Sequence, residues 1–226
     1  MAKTNLKEQE ALRQEKVEAT VSKTEQFFNE NKKWIYGILA AILLIGLCVL
    51  AYNQWILKPK MAEAQEQMYH AEDAFANGEY ELALVGDGNN LGFSDIMKEY
   101  GSKAGKAIYL YTGVCNLQLG NFQEALDCLK KYKGTDSILK ARAQACMGDA
   151  YVGLENYSAA VKCFEKAAET SGNVFSATYL LKAGVAYEEM GQKDKALACY
   201  EEIKDQYPQS VEAYDIDKYI SRAKAE

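Results

Sequence analysis

The sequence predicts an all-α protein: a single N-terminal membrane-spanning helix followed by a solenoid of stacked helical hairpins. Three observations carry that expectation. Residues 34–57, WIYGILAAILLIGLCVLAYNQWIL, hold no charged side chain. Farther on, one pattern of small and bulky residues recurs three times at a spacing of roughly 35 residues, a period that marks repeat architectures. Finally, the 226 residues include only two prolines, so little in the chain interrupts helical hydrogen bonding.

In chain order, residues 1–33 form a polar, helix-favouring tail with seven Lys/Arg and six Glu, net +1. Val17, Val21, Thr24 and Phe28 fall at helical spacing and give a weak apolar stripe. The stripe lasts too few heptads for a coiled coil, so the expectation is a cytoplasmic solvated tail that becomes helical near the membrane. A docking helix or a short coiled coil is the alternative.

As a helix, residues 34–57 extend about 36 Å, enough to cross a hydrocarbon core about 30 Å thick. Trp34 and Tyr36 at one end and Tyr52 and Trp55 at the other sit where aromatic belts meet the bilayer interfaces. A cleaved signal peptide does not fit, because the leader and the apolar run are too long and no A-x-A site follows. Cys48 follows Leu47, where a lipoprotein signal needs a small residue. Gly37 and Ala41, four apart, offer a weak helix-pairing face. Lys23, Lys32 and Lys33 on the N-terminal side against Lys58 and Lys60 on the other favour a cytoplasmic N-terminus by a single charge. The expected arrangement is single-pass in an inner (cytoplasmic) membrane with the C-terminal domain exported; the reversed topology, acting in the cytosol, is the weaker alternative.

Lys58-Pro59-Lys60 is expected to end this helix, since proline lacks a backbone donor. Ala64, Met68, Ala71 and Phe75 then share one helical stripe, and Gly78-Glu79-Tyr80 with Ala83 echo the later turn. Residues 58–104 therefore read as a degenerate first repeat interrupted by a Gly-rich insert at 86–92, with a helix restarting near Ser94 as N-cap. Without a preceding strand or a GK[ST] sequence, that insert is not a phosphate loop.

The best-formed repeat is GDAYVGLENYSAAVKCFEKA, Gly148 to Ala167. It sets small residues (Gly148, Ala150, Ala160, Ala167) opposite bulky ones (Tyr151, Tyr157, Phe164) and breaks at Gly153–Asn156. That pattern describes two helices packed as a hairpin. Gly113, Cys115, Gly120, Phe122, Ala125 and Leu129 repeat it upstream; Gly184, Ala186, Tyr187, Gly191, Ala196 and Tyr200 repeat it downstream. Three repeats are expected within 105–210, over 105–138, 140–173 and 177–208. Val211, Tyr214, Ile216, Tyr219, Ile220 and Ala223 then mark a C-terminal capping helix over 211–226, its charges (Glu212, Asp215, Asp217, Lys218, Arg222) facing water.

Charge and cysteine usage exclude several functions. Residues 61–226 carry 17 basic and 26 acidic side chains, net −9, which repels a phosphate backbone and argues against nucleic acid. The six cysteines form no CxxC, and with one histidine in the chain no Cys/His zinc spacing exists. Cys128, Cys163 and Cys199 occupy one place in successive repeats, about a helix spacing apart and too far for a disulfide. They read as small apolar packing residues. His70 lies on a polar helix face. GxSxG and HExxH are absent, and no nucleophile, carboxylate pair or ligand set converges. The chain reads as a binding protein, not an enzyme, with no cofactor, metal or small-molecule substrate.

The small/aromatic pattern resembles the tetratricopeptide repeat. That resemblance implies a concave groove lined by the first helix of each hairpin. Its positions here would be Ala107, Leu110, Val114, Leu117 and Gln118, then Arg142, Ala145, Asp149, Val152 and Gly153, then Thr178, Leu181, Val185, Glu188 and Glu189. One binding mode of such repeats clamps a C-terminal carboxylate with Lys and Asn. Leu110, Val114, Ala145 and Asp149 stand at those places, so that clamp is missing. The implied groove runs from apolar to acidic and suits an apolar or basic segment, or a docked subunit.

Tail, anchor and repeat array together resemble the YfgM-type ancillary subunits of the bacterial Sec translocon. The residues that carry this are the apolar helix, GEYELAL (Gly78–Leu84), GNFQEAL (Gly120–Leu126), GDAY (Gly148–Tyr151) and YPQSVEAYDIDKYISRAK (Tyr207–Lys224). The resemblance implies a periplasmic domain that associates with translocon subunits and a membrane-anchored prolyl-isomerase chaperone, and helps exported proteins fold. The Gly-rich insert and the cysteines depart from that family. Self-association as a scaffold in another envelope complex is the competing expectation.

Overall fold

The computed structural model describes Phe27 and residues 30–225. The expected stripe at Val17, Val21, Thr24 and Phe28, and most of the tail, lie outside the described residues. The chain divides into two compact units, residues 1–58 and 59–226. Among the described residues the only β-pairing is an isolated antiparallel bridge between Gly86 and Leu91.

In the first unit, the described backbone is helical from Glu30 onward. The apolar window is long enough to cross a membrane, and none of it is buried within the chain. The helix does not end at Pro59: α1 runs over Glu30–Ala76. A π-helical turn at Asn53–Leu57 precedes the proline, and the Lys58 N–H bonds the carbonyl of Asn53, five residues back. Widening the turn there moves carbonyls away from the pyrrolidine ring, which would clash in a regular α-helix.

The second unit consists of helical hairpins. Ala64, Met68, Ala71 and Ala74 on α1 are buried, with Phe75 partly buried beside them. They pack on α2 (Tyr80–Val85) and α3 (Phe93–Tyr100). Between these helices the insert closes tightly. Asp87 Oδ1 accepts from the backbone N–H groups of Asn89 (2.9 Å) and Asn90 (2.6 Å), and these bonds pull its carboxyl below the usual carboxylate range. Gly92 lies so close to Val85 and Gly86 that a Cβ on it would meet backbone at 2.4 Å. Helix α3 therefore starts at Phe93 from Gly92, whose carbonyl accepts from Asp95 and Ile96. Ser94 is not its N-cap, which corrects the sequence expectation. Phe75, Phe93 and Tyr111 form an aromatic seam, with Phe93 stacked on Tyr111 at 5.1 Å.

Three full hairpins follow: α4 (Ala107–Gln118) with α5 (Phe122–Leu129), α6 (Ser137–Gly153) with α7 (Tyr157–Ser171), and α8 (Ser176–Glu189) with α9 (Lys193–Gln206). The same knob-and-hole contact closes each of them. A Cβ on Gly113 would come within 2.6 Å of Leu129, one on Gly148 within 2.4 Å of Phe164, and one on Gly184 within 2.3 Å of Tyr200. Only a bare Cα lets these helix axes approach with the bulky side chain buried between them. Burying each such side chain is worth about 1.5–3 kcal/mol. The hairpin turns also repeat: Asn121, Asn156 and Gln192 donate their backbone N–H to carbonyls five residues earlier, a Schellman closure. The left-handed residue it requires is Gly120 (φ 79°) and Gly191 (φ 68°), but Glu155 (φ 56°) in the middle repeat.

The cap is shorter than expected. A 3₁₀ turn at Glu212–Tyr214 precedes α10 (Ile216–Ala225), and Val211 and Tyr214 are exposed instead of packed. Of its charges, Asp215, Asp217, Lys218 and Arg222 are exposed, as expected, and Glu212 is partly buried. Glu212 Oε1 accepts from Thr178 Oγ1 at 2.5 Å, Asp217 Oδ1 from Lys204 Nζ at 2.6 Å, and Arg222 pairs with Glu188. Ile216 and Ile220 anchor the cap in the core.

Candidate binding groove

A cavity of about 400 Å³ opens between the second and third hairpins. Five of the residues expected to line a groove meet there: Asp149 and Val152 from α6, and Leu181, Val185 and Glu189 from α8. Phe164, Tyr157, Ala186 and Tyr219 complete its walls. The floor follows from the hairpin contact, because Gly148 lets the Phe164 ring slide under α6.

The polar centre is a pair that sequence reasoning missed. Lys182 Nζ lies 2.7 Å from both oxygens of Asp149 and 5.8 Å from the centroid of the Phe164 ring. The ammonium is thus held by a carboxylate on one side and an aromatic face on the other. Opposite charges 33 residues apart, close to one repeat period, were the available signal. Glu189 makes no ion pair among the described residues. The groove therefore combines apolar walls, one neutralised pair and one uncompensated carboxylate. Its size lies toward the lower end for binding pockets, and its chemistry suits an apolar side chain next to a basic group.

The other expected positions lie elsewhere. Leu110 and Val114 are both 7% exposed, packed in a cluster with Ala143, Cys146 and Ala150, so they serve packing between hairpins. Ala145 is buried and Ala107 partly so. Leu117 is partly buried, and Gln118 and Arg142 are exposed outside this cavity. Gly153 abuts the Phe122 ring. Thr178 and Glu188 hold the cap through Glu212 and Arg222.

The five cysteines from Cys115 to Cys199 are free, four of them buried, and burial pushes every one of these thiols up, Cys115 and Cys199 to about 12. Tyr187 is pushed above the usual phenol range by burial and by its 2.6 Å hydrogen bond to Glu165. His70 is exposed. Among the described residues no group of three or more His, Cys, Asp or Glu could hold a metal ion.

Geometry of this kind, hairpins of small-against-bulky helices stacked in series, defines a repeat protein that offers surfaces to other proteins. Residues 141–173 and 178–210 each match a family model described as "Tetratricopeptide repeat", so these two segments are tetratricopeptide repeats. The chain is 34% identical over 98 residues to tetratricopeptide repeat protein 12 of Mus musculus. That stretch covers 43% of this chain and only 12% of the relative's length. Two crystal structures of MamA share the fold, each with a TM-score of 0.51. One is 22% identical and covers 68% of this chain and 91% of that one; the other is 21% identical, with 73% and 90%. Repeats of this class are generally interaction scaffolds rather than enzymes.

Proposed function

We propose that the chain is a membrane-anchored adaptor whose groove between α6 and α8 captures an apolar or basic segment of a protein partner at the cell envelope. The observation that carries this reading is the cavity that joins Asp149, Val152, Leu181, Val185 and Glu189 beside the Lys182 pair. The anchor is supported by Leu and Ile side chains from Ile38 to Leu50 that are more than half exposed, surface that is stable in a lipid interior and not in water. The lysine bias favours a cytoplasmic N-terminus, hence a periplasmic repeat domain. In the resemblance to YfgM-type subunits, the partners are translocon subunits or a membrane-anchored chaperone, and the role lies in protein export or periplasmic chaperoning.

A photo-crosslinking residue at Val185, exposed on the groove wall, tests this in intact cells, with Leu117 as a second site. Adducts with translocon subunits, a periplasmic chaperone or exported chains are expected. Adducts only with cytosolic proteins overturn the orientation. Adducts only with a second copy favour a self-associating scaffold, for which Gly37, with open space around its Cα, offers a pairing face in the anchor.

A further inference from the structure

A second cavity, of about 700 Å³, lies away from the groove, bounded by the end of α5, the loop after it, the start of α6 and the later turns of α7. Lys130, Lys133, Lys140 and Lys166 line it, and no acidic side chain does. In a region of net −9, lysines usually find carboxylates. Yet none of these four makes an ion pair among the described residues. Lys130 Nζ instead lies 5.9 Å from the Tyr151 ring centroid. The floor is apolar, with Leu129, Ala143 and Met147. Beside it, on the first turn of α6, Ile138 and Leu139 are 49% and 42% exposed.

We infer that this trough binds an acidic, extended segment of a partner protein, with carboxylates meeting the lysines and apolar side chains entering the floor. Charge complementarity sets the sign of the occupant. Its length follows from the lysines' distribution over three elements around a space far larger than one small anion. Lysines are flexible point charges, without the fixed fork with which arginine grips one phosphate or carboxylate. They therefore read a line of charge better than a single group. An extended backbone alternates its side chains between two faces, matching a cationic rim above an apolar floor. This inference is independent of the groove between α6 and α8, which carries the opposite charge bias.

The test uses the full chain in non-ionic detergent and a fluorescein-labelled peptide of alternating glutamate and leucine, followed by anisotropy. Saturable binding is expected, weakening as salt rises from about 50 to 300 mM and absent for the same peptide with glutamine in place of glutamate. The double variant Lys133→Glu/Lys166→Glu should bind at least about tenfold more weakly. Both positions are exposed, so its circular dichroism and thermal midpoint should match the parent. Lys218→Glu, an exposed charge outside the trough, should bind as the parent does. Equal affinity for parent and double variant, an equal loss in Lys218→Glu, or no saturable binding up to about 1 mM overturns the inference. So does binding of inorganic phosphate or phosphatidylglycerol micelles, but not of the peptide, that depends on Lys133 and Lys166. A sedimentation mass that falls in the double variant without peptide would identify the occupant as a second copy instead.

Discussion

Lys182 and Asp149 join the first helices of two successive hairpins through a two-pronged contact, the ammonium 2.7 Å from each carboxylate oxygen. Thr178 with Glu212 of the 3₁₀ turn, and Glu188 with Arg222 of α10, tie α8 to the cap, each pair 34 residues apart. Polar contacts at about one repeat period thus bridge one unit to the next, beside the apolar seams.

The Lys182–Asp149 pair should matter more for the groove than for stability. Its side chains are 41% and 32% exposed, and pairs so wetted contribute at most about 1 kcal/mol. Lys182→Met should lower stability by no more than that in urea denaturation, while changing the adducts captured at Val185. A loss well above 1 kcal/mol would show the pair to be a structural clamp.

The hairpin holes should be intolerant of any side chain. Gly148→Ala places a Cβ against the Phe164 ring, and Gly184→Ala one against Tyr200. Overpacking of this kind costs about 1–3 kcal/mol, and denaturant midpoints should fall accordingly without a change in m. Gly120→Ala would be strained for a different reason, its φ of 79° in otherwise open space.

Glu155 is the converse case. It holds the left-handed turn that glycine holds in the flanking repeats, at a cost of about 1 kcal/mol or more. Glu155→Gly should therefore raise stability by about 0.5–1 kcal/mol despite the freedom glycine adds to the unfolded chain. An unchanged or lower urea midpoint would contradict this.

Alkaline pH should weaken the fold. Cys115 and Cys199 ionise near 12 in the folded chain, against 9.0 ordinarily. The unfolded state releases these protons first, so stability is intact below the ordinary value and falls as pH rises from 9.0 toward 12. Thiol titration at pH 8 should accordingly leave both cysteines unreacted until denaturant is added.

Much of the fold was legible because its signals are periodic. Gly113, Gly148 and Gly184 face Leu129, Phe164 and Tyr200 in the phase in which the sequence sets small residues against bulky ones. What escaped was local or directional. Pro59 reads as a stop, yet a wider turn at Asn53–Leu57 carries the helix through it. Ser94 has the chemistry of a cap, but the chain needs Gly92 where it touches Val85. In the groove, Asp149, Leu181 and Val185 followed from repeat phase, whereas Lys182 is a neighbour whose long side chain swings across to α6. Leu110 and Val114 occupy the same phase as Ala145 and Asp149, but both pack into the cluster with Ala143, Cys146 and Ala150, and Ala145 is buried as well, so of the four only Asp149 reaches the groove.

The hairpins touch mainly their sequence neighbours: α6 with α7, α7 with α8, α8 with α9 and α9 with α10. Among the described residues, each unit of this array is held mainly by its neighbours. A tensile load applied at the C-terminus would meet the cap first, then one hairpin at a time, giving a staircase of rupture events instead of one break. A domain built this way can yield part of its length under traction and rewind it afterwards, the behaviour of a tether with elastic reserve.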